Sequence, residues 1–133
     1  MSPEVTTTID VRYRDCDPLG HVNNAVFLTY FEIGRVEFWR DVMGTTGAKA
    51  DDWPFILAEA TVTFRSPARF AERLRLTIGV ESIGTKSWVF RYRIAGADGR
   101  EVATGRSVQV AYDYAAAKTV PLPQPIRAKL AGD

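Results

Sequence analysis

The sequence predicts an α+β domain: a five-stranded antiparallel sheet with one long helix on one of its faces. Two observations carry that prediction. Five runs alternate apolar and polar residues with a period of two and are punctuated by Gly and Pro, and one stretch near the N-terminus repeats apolar residues at spacings of three and four. In the first strand, Val5, Thr7, Ile9, Val11 and Tyr13 alternate with Thr6, Thr8, Asp10, Arg12 and Arg14, until Pro18 and Gly20 end it. Phe27, Tyr30, Phe31, Gly34, Phe38 and Val42 then form the stripe of an amphipathic helix. Asn23 or Asn24 caps this helix; it runs to Met43, and Gly44 is its left-handed stop. Thr45, Thr46 and Gly47 continue a loop that reaches Pro54.

Ile56, Ala58, Ala60, Val62 and Phe64 set the phase of the second strand, with Glu59 on the opposite face and Arg65-Ser66-Pro67 as its end. Leu74, Leu76, Ile78 and Val80 make the third. Gly84-Thr85 leads into the fourth, Trp88, Phe90, Tyr92 and Ile94, and Ala97-Asp98-Gly99 makes the next hairpin turn. Val102, Thr104, Arg106, Val108, Val110 and Tyr112 set the phase of the fifth. Arg106 in that apolar phase predicts a bulge at Gly105 that turns its side chain to solvent; the alternative is an ion pair or a phosphate contact. Pro121, Pro123 and Pro125 predict an extended tail over residues 119–133, and residues 1–133 read as one domain.

With 133 residues the chain is of single-domain size, and a net charge of +1 gives no global attraction to nucleic acid or anionic membranes. No apolar run approaches the length of a membrane span, and Met1-Ser2-Pro3-Glu4 lacks the pattern of a signal peptide, so a cytoplasmic setting is expected. One Cys and one His fall short of a structural zinc set, and no metal or cofactor is expected.

Asp15-Cys16-Asp17-Pro18-Leu19-Gly20-His21-Val22-Asn23-Asn24 places two carboxylates, the only Cys, the only His and two Asn between a strand and a helix. A helix start leaves backbone N–H groups unpaired beside the positive end of the dipole and can hold a developing negative charge. Asp15 and Asp17 can equally be turn formers and caps, the commonest fate of Asp near Pro and Gly. Alternation sends Cys16 to the face opposite both carboxylates and leaves it without a neighbouring cation, which favours a small filler over a nucleophile. Glu32 and Arg35, three apart on the helix, can pair with each other.

Asp15-Cys16-Asp17-Pro18-Leu19-Gly20, followed by His21-Val22-Asn23-Asn24 and by Tyr30-Phe31-Glu32 with Arg35, resembles the signature of the hotdog-fold acyl-CoA thioesterases, in the 4-hydroxybenzoyl-CoA thioesterase-like branch. That resemblance implies a sheet wrapped around one long central helix and hydrolysis of an acyl-CoA thioester. It gives Asp17 the part of nucleophile or general base, and the backbone N–H of Asn24, seven residues on, the part of oxyanion donor. Tyr13 matches a Tyr that one related group carries four residues before the Asp, while Asn24 stands where that group has a His. His21 either supplies the missing assistance or bonds a backbone carbonyl and holds the loop.

Phe27, Tyr30 and Phe31 line an acyl pocket or simply form core, and Arg65, Lys86 and Ser87 are the candidate contacts for the phosphates of coenzyme A. The resemblance also implies a homodimer or homotetramer in which edge strands join two sheets and each site draws on both chains. Two rivals remain: a module that binds acyl-CoA without turning it over, and a dehydratase on the same fold, which needs a His and a helical carboxylate in a different arrangement.

Overall fold

The computed structural model describes residues 2–45, 47, 49 and 52–133. Five long strands, β1 (Glu4–Asp10), β2 (Phe55–Phe64), β3 (Arg73–Ile83), β4 (Ser87–Ala95) and β5 (Glu101–Asp113), form one antiparallel sheet in the order β1-β3-β4-β5-β2. A two-residue strand, β6 (Lys118–Thr119), adds to β5. Helix α1 (Val26–Phe38) lies across one face and continues as a π-helical turn, Trp39–Met43. Gly44 stops it with φ 75°, the left-handed conformation expected there. The loop position Thr46 lies outside the described residues.

α1 sits close to the sheet because the opposing positions are small or flat. Phe31 stacks on Tyr92 at 4.1 Å between ring centroids, Phe38 meets Phe90 edge-on at 4.7 Å, and Gly34 lies over Leu76. Trp88, Phe90, Tyr92 and Ile94 of β4 and Leu74, Leu76 and Ile78 of β3 point to the helix and are buried, as their alternation requires. This is the sheet-around-helix arrangement of the hotdog fold.

Three expected phases are corrected. β1 ends at Asp10, and Tyr13 falls instead in a 3-10 turn, Tyr13–Asp15, where it is 80% exposed. In β2 an extra residue, Ala58, separates the pairs Leu57↔Gln109 and Glu59↔Val108. That bulge reverses the alternation, so Phe55 and Leu57 share the helix side with Ala60, Val62 and Phe64, while Ile56 turns outward.

In β5 the extra residue is Val102, between Ala95↔Glu101 and Ile94↔Ala103, and the rest of the strand is inverted from the expected phase. Ala103, Gly105, Ser107, Gln109 and Ala111 face α1; Thr104, Arg106, Val108 and Val110 face outward. No bulge occurs at Gly105, and Arg106 reaches Glu81 at 2.9 Å, the ion pair that was the alternative reading.

Burying Ser107 and Gln109 requires partners for them. Arg35 of α1 donates to the Tyr92 hydroxyl at 3.1 Å, Tyr92 bonds Ser107, Ser107 donates to Gln109, and the Gln109 amide reaches the Trp88 carbonyl at 3.3 Å. Arg35 is therefore committed to Tyr92, and the expected Glu32–Arg35 pair does not form among the described residues.

The proline-containing tail is also corrected. It is extended only to Pro123, after which Gln124–Ala131 form α2. Proline suits the first turn of a helix, where its missing N–H has no partner to lose, and Pro125 lies in that turn. Leu122 and Leu130 are buried, and Arg127 donates to the Gly84 carbonyl at 2.7 Å, which closes this end of the core.

Candidate active site

The chain leaves β1 and tightens at once, because Asp15 draws it inward. The Asp15 side chain is 2% exposed and accepts from the Arg12 N–H at 2.9 Å, from the Arg12 guanidinium at 2.8 and 3.2 Å, and from the Tyr30 hydroxyl of α1 at 2.9 Å. Burial raises its pKa; the Arg12 side-chain and backbone bonds, the Tyr30 hydroxyl and the Arg12 charge together outweigh it and hold the carboxyl below the usual range. Tyr30 is pushed the other way, above the usual phenol range, first by burial and then by Asp15.

A group whose folded pKa is depressed contributes stability that is complete above its unfolded pKa and lost as pH falls through the folded value. Asp15→Asn is accordingly expected to lose about 2 kcal/mol at neutral pH, for a buried charge-assisted cluster with one exposed partner. Thermal melts of both proteins should begin to converge as pH falls below about 4, the unfolded carboxyl's value, and should finish converging only below the depressed folded value. A stability gap that stays constant on acidification would contradict this assignment.

Beyond Asp15 the segment folds back on itself. Asp17 N–H donates to the His21 carbonyl at 3.1 Å, and Asn23 N–H donates to the Asp15 carbonyl at 2.9 Å. Gly20, with φ 85°, makes the turn between them, and Val22 N–H ties the loop to the Ala68 carbonyl at 2.8 Å. At the tip Asp17 Oδ1 accepts from Leu19 N–H at 2.9 Å, and Asp17 Oδ2 accepts from Asn23 Nδ2 at 3.3 Å. Asn23 Oδ1 in turn accepts from Ala25 N–H at 2.9 Å, an Asx-type turn that leads into α1; the N-cap itself is Ala25 and has no side-chain cap bond, so the expected capping by Asn23 or Asn24 is corrected. Asn24 N–H donates no bond among the described residues. Cys16 is half-buried against the core with its Sγ 3.8 Å from the Arg12 carbonyl, consistent with a filler.

A cleft of about 270 Å³ opens beside this loop, lined by His21, Val22, Asn24, Phe27 and the segment Phe64–Pro67. Four of the expected site residues, His21, Asn24, Phe27 and Arg65, therefore share one cleft. Phe27 is at once core and wall, since it is buried and meets Phe64 edge-on at 5.4 Å. Arg65 is exposed at the rim, 3.5 Å from Glu101. His21 Nδ1 lies 3.2 Å from the Val22 carbonyl, the loop-holding contact that was one of its two readings.

Asp17 borders the cleft's loop without being among its lining residues, and its carboxylate is engaged as a turn acceptor. Tyr13 is not among the lining residues either and lies edge-on to Phe70 at 5.7 Å. Lys86 and Ser87 lie elsewhere in the same chain: Ser87 pairs with Val110, whereas the cleft end of β5 is at Ala103. That separation is about 23 Å along the strand. Their grouping with Arg65 as phosphate contacts rested on residue chemistry and ignored which end of the sheet each occupies. Asp15 and Asn23 are the polar residues whose parts were not foreseen; the sequence offered Asp15 as a turn former or cap and Asn23 as a helix cap, not as a clamp on Tyr30 and a bridge to Asp17.

Among the described residues, no three His, Cys, Asp or Glu side chains cluster so as to hold a metal. No helix among them is long and apolar enough to cross a membrane.

The thioesterase-like superfamily model matches residues 11–130, a span that runs from the 3-10 turn through α2. The chain belongs to the thioesterase-like superfamily. It is similar to the acyl-CoA thioester hydrolase YbgC of Escherichia coli O6:H1 and of Shigella flexneri, each 28% identical over 122 residues that cover 91% of both chains. Among solved structures, a predicted thioesterase from Bacillus stearothermophilus superposes with a TM-score of 0.88 at 28% identity, covering 96% of this chain and 94% of the other. A thioesterase from Thermus thermophilus, solved as a complex with coenzyme A and Zn, superposes at 0.84 with 28% identity, covering 96% and 91%. As a thioesterase-like superfamily member, this chain keeps the loop, α1 and strands β2 to β5 within the matched span.

Proposed function

We propose that the protein hydrolyses an acyl-CoA thioester to the free acid and coenzyme A, with Asp17 as nucleophile or general base and the Asn24 N–H polarising the carbonyl. The observation that supports this reading most is that Asn24, whose N–H donates no bond among the described residues, lines the cleft and stands on the same short loop as the Asp17 carboxylate. Oδ1 of Asp17 is tied to Leu19, which leaves Oδ2, with its longer 3.3 Å bond, as the reactive oxygen.

As base, Oδ2 takes a proton from water while the hydroxide adds to the thioester carbon. As nucleophile, Oδ2 adds to that carbon, the mixed anhydride replaces the C–S bond, and water then cleaves the anhydride. In both routes negative charge collects on the carbonyl oxygen, where a preorganised N–H contributes about 3 kcal/mol, and the thiolate leaves and is protonated to free coenzyme A.

Phe27 and Phe64 give the cleft its apolar wall, and Arg65 offers a cation at its rim for a phosphate. Among the described residues the sheet ends in an unpaired β2 edge, on which Ile56, Leu57 and Phe64 are 41%, 43% and 49% exposed. Such an edge calls for a cover, and a second copy paired antiparallel along it gives the homodimer, which can pair further into a tetramer. A two-fold axis through β2 sets the Phe55 end of one chain beside the Phe64 end of the other. The Lys86–Ser87 end of the second protomer then approaches the first protomer's cleft, where both residues can contact the coenzyme A phosphates. The single free cysteine fits a reducing cytoplasm.

Substitution at Asn24 separates backbone from side chain. Asn24→Ala keeps the N–H and is expected to retain turnover, whereas Asn24→Pro removes it and should lower kcat about 10²- to 10³-fold in a folded protein. Equal, severe losses in folded Ala and Pro variants would transfer the role to the Asn side chain, and equal retention would place the oxyanion donor elsewhere.

A further inference from the structure

Asn23 stands out because its two amide ends reach the two halves of the site. Nδ2 donates to Asp17 Oδ2 at 3.3 Å, and Oδ1 accepts from Ala25 N–H at 2.9 Å. Its backbone is anchored as well: Asn23 N–H donates to the Asp15 carbonyl at 2.9 Å, and Asn23 C=O accepts from Val26 N–H at 3.0 Å. Asp15 is itself clamped to α1 through Tyr30. The result is one planar amide between a carboxylate on the loop and the first turn of the helix. The bond to Ala25 also consumes the donor next to Asn24, whose own N–H donates no bond among the described residues.

Resting on the proposed roles of Asp17 and Asn24, we propose that Asn23 is the positioning residue that sets the candidate base and the oxyanion donor at a fixed separation. A planar amide suits this task because its donor and acceptor diverge from one rigid group. Nδ2 also engages Oδ2 of the Asp17 carboxylate, while Oδ1 stays with Leu19 N–H, so the two oxygens are held apart in role. Asn23 touches no substrate in this scheme; it acts through Asp17 and through the helix start.

A simple helix cap makes a different demand. It needs only the Oδ1 acceptor, and Asp or Ser serves as well as Asn in that role. Asn23→Asp keeps that acceptor and the shape but sets a second carboxylate against Asp17. Asn23→Ser keeps a capping oxygen but is too short to reach Asp17. If Asn23 positions the base, both variants should melt within a few degrees of wild type, and kcat should fall about 30-fold with KM nearly unchanged. In Asn23→Asp the acid limb of the kcat–pH profile should in addition move up by about one unit, because a like charge disfavours ionisation of Asp17.

Wild-type kcat and an unmoved acid limb in both folded variants, alongside an inactive Asp17→Asn, would overturn the positioning role and leave the proposed reaction standing. Full turnover by Asp17→Asn would overturn the reaction scheme and the positioning role with it.

Discussion

Asp17→Asn is expected to lower kcat at least about 10³-fold, about 4 kcal/mol of barrier, because an amide of the same volume neither attacks a thioester nor takes a proton from water. The fold should survive. The substituted amide retains an oxygen to accept from Leu19 N–H, and only the longer bond from Asn23, at the protein surface, is lost. Backbone bonds from Asp17 to His21 and from Gly20 to Asp17 are untouched by the change. Melting temperature and acyl-CoA binding should therefore stay near wild type while turnover disappears. Residual kcat within about tenfold of wild type would remove Asp17 from the chemistry, and would return it to the turn-forming role that its bond to Leu19 already shows.

The largest structural effect is expected at Gly105, where the Phe31 ring of α1 packs against β5. A Cβ there would lie 2.5 Å from the Thr61 carbonyl oxygen and 2.6 Å from Phe31 Cζ. The first neighbour is backbone of the paired strand β2, and the second belongs to a ring held against Tyr92 at 4.1 Å, so neither can yield cheaply. Gly105→Ala should cost about 3 kcal/mol, at the upper end of overpacking effects, and lower the melting temperature by about 10 °C.

Gly34→Ala is the informative contrast. Its Cβ would approach only the end of the Leu76 side chain, at 2.6 Å, and alanine favours the helix by about 1 kcal/mol. A small net change is expected there, and equal, small shifts for both variants would show that Phe31 and β2 are more compliant than their packing indicates.

The same positions explain which parts of the fold were legible. α1 could be read because Phe27, Tyr30, Phe31, Gly34 and Phe38 keep a helical period and all are buried. β3 and β4 could be read because every second residue from Leu74 to Ile78 and from Trp88 to Ile94 faces the core. The first half of β2 and nearly all of β5 could not, since one extra residue in each, Ala58 and Val102, exchanges the faces and leaves no trace in composition, whereas Ala60, Val62 and Phe64 keep the expected phase.

β5 misleads further because the helix demands small or hydrogen-bonded residues beneath it. Gly105, Ser107 and Gln109 are therefore inside, while Val108 and Val110 are outside. In the site, the segment Asp15–Asn24 announced itself by residue type. The clamp of Asp15 on Tyr30 and the bridge of Asn23 from Asp17 to Ala25 depend on loop geometry that residue spacing does not encode. Lys86 and Ser87 were grouped with Arg65 by chemistry alone, whereas strand direction puts them at opposite ends of β5 in one chain.

The most direct measurement is release of free thiol from a panel of acyl-CoAs, short and long, aliphatic and aromatic, by the purified protein. Steady turnover of at least one member is expected, with the free acid formed in equal amount to coenzyme A and with the activity absent from Asp17→Asn. Tight binding of several acyl-CoAs with no thiol released from any of them would contradict it, and would make the protein an acyl-CoA-binding module built on a thioesterase fold.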